Sequence, residues 1–299
     1  MNSTPLRYPG GKSLMTNFFV DLFHKNELQD IVYAEPYAGG AGAAINLLLN
    51  GYVNKIIIND ANIGIYSFWG ALINDSDRFI QTIKTIPVTL TEWYKQRTVL
   101  QGSTKPSFEL GVATFFMSRT NRSGVIFGGP IGGSTEEKQN NAKYKIDCRF
   151  NKQDLIQRLE TIAENRRRIK VTNEDALVFL RQLDVNVFVY LDPPYYVQGK
   201  SLYMNHYSDS DHERLAHYLQ NDAHFNWVLS YDDVPQIRRM YADSELFRFP
   251  LKYTVSKKEI GYELLTHSAN MHFPSNPMIR RNSSKSISIE RIQKKPNLF

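Results

Sequence analysis

Asp192-Pro193-Pro194-Tyr195 follows directly on the apolar run Val187-Phe188-Val189-Tyr190-Leu191. A run of that kind reads as a central strand buried on both faces. Open parallel sheets gather ligand chemistry at the carboxyl ends of their strands. Two prolines lock the backbone there and remove two N–H donors. The backbone carbonyls remain, and with the Asp192 carboxylate they form an acceptor-only patch beside an aromatic ring. Such a patch suits a planar group bearing an NH2. The acceptors take its two hydrogens while Tyr195 stacks on its face. The plain alternative is a turn that ends a strand, which the position after a buried run disfavours.

Glu35-Pro36-Tyr37-Ala38-Gly39-Gly40-Ala41-Gly42 has a different chemistry, and Asp60 closes the strand that comes next. Glycines let a ligand lie against the backbone at a helix start. An acid at the end of the second strand can take a ribose diol. Ile45 stands where a dinucleotide fold needs its third glycine, so a nucleoside without pyrophosphate fits better. Gly11-Lys12-Ser13 resembles the end of a phosphate loop, but Leu6 replaces its first glycine and no strand precedes it. An ATPase is therefore not expected. The seven histidines are scattered without metal-ligand spacing, so no metal is expected. Ser230 lacks the flanking glycines of a hydrolase nucleophile. Arg166-Arg167-Arg168 reads as a solvated face, while Lys257 and Lys258 are candidate phosphate contacts.

The elements that must position these residues alternate. A strand over Ile31–Glu35, the glycine turn, a helix over Ala43–Leu49 and a strand over Lys55–Asp60 make a βαβ unit, hence a parallel sheet. Strands are expected again at Ile169–Thr172, Val187–Leu191, Trp227–Ser230, Leu246–Lys252 and Tyr262–His267, giving about seven in all. Helices are expected at Leu14–Phe23, through most of Ile63–Leu100, and at Phe108–Met117, Leu155–Arg166, Ala176–Leu183 and Asp211–Gln220. Between Ser118 and Asp147, glycines and Pro130 break the rhythm, which reads as an inserted hairpin or loop region. The stretch after Pro274 is polar and is expected to be loosely ordered.

Composition narrows the class. The 299 residues carry 36 Lys+Arg against 30 Asp+Glu, a net charge of +6, which fits a polyanionic partner. At 42% hydrophobic the chain is an ordinary folded protein, neither disordered nor fibrous. The single cysteine, Cys148, excludes an intramolecular disulfide and a thiolate metal cluster, which fits a reducing cytoplasm. No apolar run reaches the length of a membrane helix, and no secretion signal is visible at the start.

Together the motifs resemble the Dam-type, alpha-group family of adenine-specific DNA methyltransferases, from Pro5 to about His267. Tyr8-Pro9-Gly10-Gly11-Lys12 looks like the family's opening motif, which touches S-adenosylmethionine. Glu35 to Gly42 matches its cofactor loop, with Glu35, Pro36, Tyr37, Gly39, Gly40 and Gly42 as contacts. Asp60 matches the ribose acid, and Asp175 the acid near the cofactor's adenine. Asp192 to Tyr195 matches the catalytic tetrapeptide, with Asp192 also near the cofactor. Glu263-Leu264-Leu265-Thr266 looks like the late strand motif. Arg119-Thr120-Asn121-Arg122-Ser123-Gly124 resembles the opening of the DNA-recognition hairpin, although the usual continuation is replaced by Val125-Ile126-Phe127-Gly128.

The resemblance implies a class I S-adenosylmethionine-dependent methyltransferase fold: an α/β, mostly parallel seven-stranded sheet with helices on both faces and one antiparallel edge strand. Residues 1–72 and 152–273 would form the catalytic domain, 73–151 the inserted recognition region and 274–299 a polar tail. Duplex DNA is the implied partner, gripped by Arg119, Asn121, Arg122, Ser123, Gly124, Lys257 and Lys258. The adenine must be flipped out of the duplex to be reached. A cytoplasmic monomer is expected, and both an orphan enzyme and one with a restriction endonuclease as companion fit the sequence. A cytosine exocyclic-amine methyltransferase does equivalent chemistry with a similar tetrapeptide. A silent binding module of the same fold is the reading from another class, and the intact Asp192 speaks against it.

Overall fold

The computed structural model describes residues 3–197, 207–253, 259–282 and 285–293. Its strands in chain order are β1 (Val32–Glu35), β2 (Lys55–Asn59), β3 (Ile169–Thr172), β4 (Val187–Leu191), β5 (Asn226–Asp232), β6 (Phe247–Tyr253), β7 (Glu259–His267), β8 (Met278–Asn282), β9 (Lys285–Ser288) and β10 (Glu290–Arg291). The helices used below are α1 (Thr16–Lys25), α2 (Gly42–Leu49), α3 (Ile63–Asn74), α4 (Ser76–Thr85), α5 (Leu90–Gly102), α6 (Phe108–Thr120), α7 (Glu136–Asn141), α8 (Lys152–Glu164) and α9 (Ala176–Arg181). All seven expected strands are present. The chain divides into two compact units.

One unit comprises Met1–Ser13, Ala38–Gly51 and Lys55–Asp175. In it β2 and β3 pair in parallel, with Asn59 opposite Thr172 at the carboxyl end. The long helical stretch resolves into α3, α4 and α5. Asn62 caps α3 by accepting the N–H groups of Gly64 and Ile65. The helix α6 is buried on every side from Leu110 to Thr120. It crosses α3 so closely that each helix turns a glycine to the other. A Cβ on Gly64 would lie 2.7 Å from the Thr114 hydroxyl, and one on Gly111 would run into the Ser67 carbonyl. Phe68, Phe79 and Phe115 fill the space beside this crossing.

After α6 the glycine-rich stretch is a loop rather than a regular hairpin. One isolated bridge joins Asn121 to Pro130. Two buried amides organise it. Asn121 accepts from the Trp93 indole (2.7 Å) and donates to the carbonyls of Val125 (3.0 Å) and Ile126 (2.7 Å). Gln139 donates to Ile131 (2.7 Å) and Gly133 (2.6 Å) and accepts from the Ile146 N–H (3.0 Å). Apolar residues are sparse here, so amides that satisfy buried backbone groups replace a local core.

The other unit comprises Leu14–Tyr37, Tyr52–Asn54 and Ala176–Phe299. Its strands run in the order β10-β6-β7-β5-β4-β1. The strands β1, β4 and β5 are parallel, while β7, β6 and β10 join antiparallel. The expected single antiparallel edge strand is thus corrected to a run of three. Five residues separate β6 from β7, too few for a parallel crossover. Tyr190 is in register with Val228, so Phe188, Tyr190, Val228 and Ser230 share one face. Phe19 of α1 packs on that face against Tyr33, Phe188 and Tyr190. The opposite face carries Trp227 and Tyr231, which bond to Leu219 and His212 of helix Asp209–Asn221. Helices therefore cover both faces.

The C-terminal stretch corrects another expectation. It is polar, yet β8 and β9 form a hairpin, and Ile279 and Ile289 are buried. Phe18 of α1 packs edge-on against Phe273 at 5.1 Å, and Asn26 exchanges hydrogen bonds with the His272 backbone. Among the described residues no helix is long and apolar enough to cross a membrane.

The α3–α6 crossing yields a paired prediction. Gly111→Ala should destabilise by about 1–3 kcal/mol through overpacking against backbone. Gly70→Ala, in the same helical pair, meets nothing closer than Asn74 at 3.9 Å. It should stabilise by up to about 1 kcal/mol from helix propensity. Thermal midpoints moving in opposite directions would bear this out, and equal shifts would sink it.

Candidate active site

The pleat of β4 carries Tyr190 and then Asp192 to the same face. There the Ser230 hydroxyl donates to Asp192 Oδ1 at 2.7 Å, and Ser230 Oγ lies 2.8 Å from the Tyr190 hydroxyl. Ser230 has one proton and gives it to the carboxylate, so the Tyr190 hydroxyl is the donor in the second bond. Asp192 is half-buried and Pro193 buried. Tyr195 is 6% exposed, and its hydroxyl donates to the Glu263 carboxylate on β7. Glu263 stands opposite Asp232 across the β5–β7 pair. The Asp232 carboxylate accepts the N–H groups of Tyr196 (2.9 Å) and Val197 (3.0 Å).

At the end of β1, in the same unit, Tyr33 donates to Glu35 Oε1 at 3.1 Å. Burial, with Glu35 beside it, pushes the Tyr33 phenol well above its ordinary value. Pro36 is buried, and the Tyr37 and Tyr207 hydroxyls lie 2.7 Å apart. Tyr207 leans on His212, whose pKa burial pushes down.

The second group of candidates belongs to the unit built on β2. Asp60 accepts the N–H of Gly39 on one carboxylate oxygen (2.8 Å) and that of Asn62 on the other (2.9 Å). Burial pushes its pKa up to about 6, against the pull of these two N–H groups. It is half-buried. The Trp69 indole donates to the Gly39 carbonyl at 3.0 Å, fixing the turn from below. Gly39 has φ +46°, and a Cβ there would lie 2.7 Å from the Tyr8 ring. A Cβ on Gly40 would meet Tyr8, and one on Gly42 would meet Ser13. The atoms that demand these glycines therefore belong to the chain's own opening segment. Gly11 closes a turn on the Tyr8 carbonyl, and Lys12 donates to the Gly10 carbonyl. Beyond β3, Asn173 and Glu174 bond to Asp60 and Asn59, leaving Asp175 exposed.

Three of the expected DNA contacts are buried. Arg119 is 9% exposed and donates to the Pro5 carbonyl at 2.5 Å. Burial, then Arg158 and Arg7, push its guanidinium down to about 10. Asn121 is wholly buried and spends its amide on the loop. Gly124 has φ +75°, and a Cβ there would lie 2.5 Å from the Arg7 carbonyl. All three are engaged within the unit itself. Arg122 and Ser123 between them are exposed, and Phe127 is 45% exposed. Lys257 and Lys258 lie outside the described residues. Among the described residues, no group of three or more His, Cys, Asp or Glu side chains could hold a metal ion.

Ser230 was set aside above as a nucleophile. Its part as partner to Asp192 is readable only once β4 and β5 are adjacent. Asp232 carried no signal beyond its even spacing from Ser230.

Residues 8–256 match the family described as D12 class N6 adenine-specific DNA methyltransferase. Type II methyltransferase M.MjaIII of Methanocaldococcus jannaschii is 25% identical over 233 residues, which cover 72% of this chain and 78% of that protein. Among solved structures, the rRNA methyltransferase aviRa from Streptomyces viridochromogenes overlaps at a TM-score of 0.34 and 14% identity, covering 88% of this chain and 87% of its own. Protein LPL1258 from Legionella pneumophila overlaps at 0.34 and 10% identity, covering 89% and 88%. The family match runs from the opening aromatic motif past the tetrapeptide, and the chain belongs to the D12 class of N6 adenine-specific DNA methyltransferases.

Proposed function

We propose that the chain methylates the N6 amine of a flipped-out adenine in duplex DNA, with S-adenosylmethionine as donor. Asp192 and the Pro193 carbonyl receive the amine. The observation that carries this reading is the fixed carboxylate of Asp192, oriented by Ser230 and Tyr190 beside a Pro-Pro backbone that has no N–H to offer.

The residues around Asp60 fit the donor. After accepting two backbone N–H groups, a carboxylate has lone pairs left for the hydroxyls of a ribose. Asp60 is half-buried and not sealed from solvent, so such hydroxyls can reach it. Tyr8, Gly11, Lys12, Gly39, Gly40, Gly42 and Asp175, with Glu35, Pro36 and Tyr37, are the further contacts we assign. When bound, S-adenosylmethionine supplies an electrophilic methyl group on a sulfonium.

The amine of adenine is a poor nucleophile because its lone pair is delocalised into the ring. Hydrogen bonds from the amine to Asp192 and the Pro193 carbonyl draw it towards a tetrahedral shape and free that lone pair. Pro194 stiffens the backbone beneath. Tyr195 stacks on the base, and Glu263 fixes the plane of its ring. Stacking offsets part of the few kcal/mol that flipping costs. No covalent intermediate on the protein is needed, and positioning supplies much of the rate. Arg122 and Ser123 contact DNA, the residues of 73–151 serving as the recognition region. The enzyme works as a cytoplasmic monomer.

Three outcomes are expected. Asp192→Ala should abolish transfer and leave calorimetric cofactor binding largely intact. Wild-type turnover would remove Asp192 from the mechanism, and methylated cytosine as product would reassign the base.

Asp60 is held at about 6, above its unfolded value of 3.8, so folding favours its protonated form. That stability is fully present below about pH 4 and is lost as pH rises through about 6. Ribose hydroxyls prefer the ionised form, so cofactor affinity should run the other way and weaken as pH falls through about 6. Asp60→Asn should cost roughly 1–3 kcal/mol of binding and flatten the profile. Titrations from about pH 5 to about pH 8 decide it, and a flat wild-type profile would make Asp60 structural.

Arg122→Ala should relax the methylated motif, with a loss of about 1–3 kcal/mol on the cognate site and much less elsewhere. Sequencing of methylated bases in host DNA reads the motif. Uniformly weaker binding with an unchanged motif, and a salt slope reduced by about one, would make Arg122 a phosphate contact.

A further inference from the structure

Directly after the tetrapeptide, the chain is held by a side chain that no motif predicted. The carboxylate of Asp232 takes the N–H of Tyr196 on one oxygen, at 2.9 Å, and that of Val197 on the other, at 3.0 Å. Asp232 is buried at the end of β5, on the face that also carries Ser230. Directly opposite on β7 stands Glu263, which accepts from the Tyr195 hydroxyl. Like charges facing each other across an antiparallel pair destabilise it. Here both acids accept from residues 195–197, Asp232 from two N–H groups and Glu263 from the Tyr195 hydroxyl. The Tyr196 ring also lies 5.2 Å from His212, which is itself bonded to the Tyr231 hydroxyl at 2.7 Å. Val197 is 61% exposed, so its N–H would bond to water were it not drawn to Asp232.

We propose that Asp232 is the positioning residue for base capture. By seizing two successive N–H groups it fixes the backbone on the C-terminal side of Tyr195, while the prolines fix the other side and Glu263 fixes the hydroxyl. Three restraints then set the plane in which Tyr195 meets the flipped base, and Asp232 touches neither base nor cofactor. This rests on the reading that Tyr195 stacks on the adenine.

An asparagine at 232 keeps the shape but turns an NH2 against one of the two N–H groups. Asp232→Asn should leave the thermal midpoint and the cofactor dissociation constant near those of the parent enzyme. It should lower kcat/KM on a paired duplex about tenfold or more, the loss expected for one hydrogen bond to a charged acceptor. A fluorescent adenine analogue at the target position should brighten less on binding. Placing an abasic site opposite the target removes the pairing that capture must overcome, so most of the lost rate should return. A generally loosened fold would not be rescued this way. Val197→Pro deletes one donor from an exposed position without altering β5, and it should show the same defect and the same rescue.

Tyr195→Ala, run in parallel, separates the two readings. If Tyr195→Ala dims the analogue while Asp232→Asn and Val197→Pro match the parent enzyme, the Asp232 proposal is overturned. A defect in Asp232→Asn that the abasic site does not relieve overturns it as well. If Tyr195→Ala brightens the analogue as the parent does, the stacking reading fails, and this proposal with it.

Discussion

Ser230 has a single proton, and Asp192 takes it. Much of the second unit serves that one bond. Ser230 and Asp192 meet because β4 and β5 pair in parallel with Tyr190 opposite Val228, which puts the following even-numbered residues on one face. A slip of one residue would send Asp192 to the other face. Tyr190 completes the line, and its ring packs edge-on against Phe19 at 4.8 Å. The orientation of a carboxylate at the surface of the sheet is thereby tied to the aromatic core beneath α1. A rigid core costs nothing further at the moment of reaction, which is the advantage of building a site on strands.

A second device appears in both units. Asp60 and Asp232 each stand at or just past the carboxyl end of a strand, and each spends both oxygens on two backbone N–H groups. Asp60 ties the glycine turn to the start of α3, and Asp232 ties down the residues after the tetrapeptide. A loop that carries function lacks the ladder bonds of a strand, so its N–H groups need acceptors from elsewhere. A strand-end carboxylate supplies two at once, and a charge-assisted bond is stronger than a neutral one.

The segment after α6 is held by other means. Arg119 reaches the Pro5 carbonyl, Arg158 the Thr4 carbonyl and Arg7 the Asn121 carbonyl. The residues ahead of Tyr8 and the turn at Asn121–Gly124 are thus bound to one another within one unit. Asn121 and Gln139 then organise the loop from inside. Arg122, Ser123 and Phe127 are left exposed on its first turn.

Sequence alone determined the strand–turn–helix–strand rhythm, the seven strands, the tetrapeptide after a buried run and the acid at the end of β2. Each of these is local: period-2 burial, proline and glycine chemistry, and a residue's place at a strand end are written into neighbouring positions. Tertiary structure decided the rest. Arg119, Asn121 and Gly124 look like ligands for a polyanion in one dimension, yet they are buried, because their partners Pro5, Trp93 and Arg7 are far away along the chain. At Gly39 and Gly40 the space that side chains would need is taken by Tyr8, some thirty residues earlier in the chain. The polar C-terminal stretch folds because Ile279 and Ile289 are buried and Phe273 packs on Phe18, from the opposite end of the chain. Ser230 and Asp232 acquire their roles only when β5 lies beside β4 and beneath residues 195–197. Long-range pairing chooses which polar groups are desolvated together, and no local pattern encodes that choice.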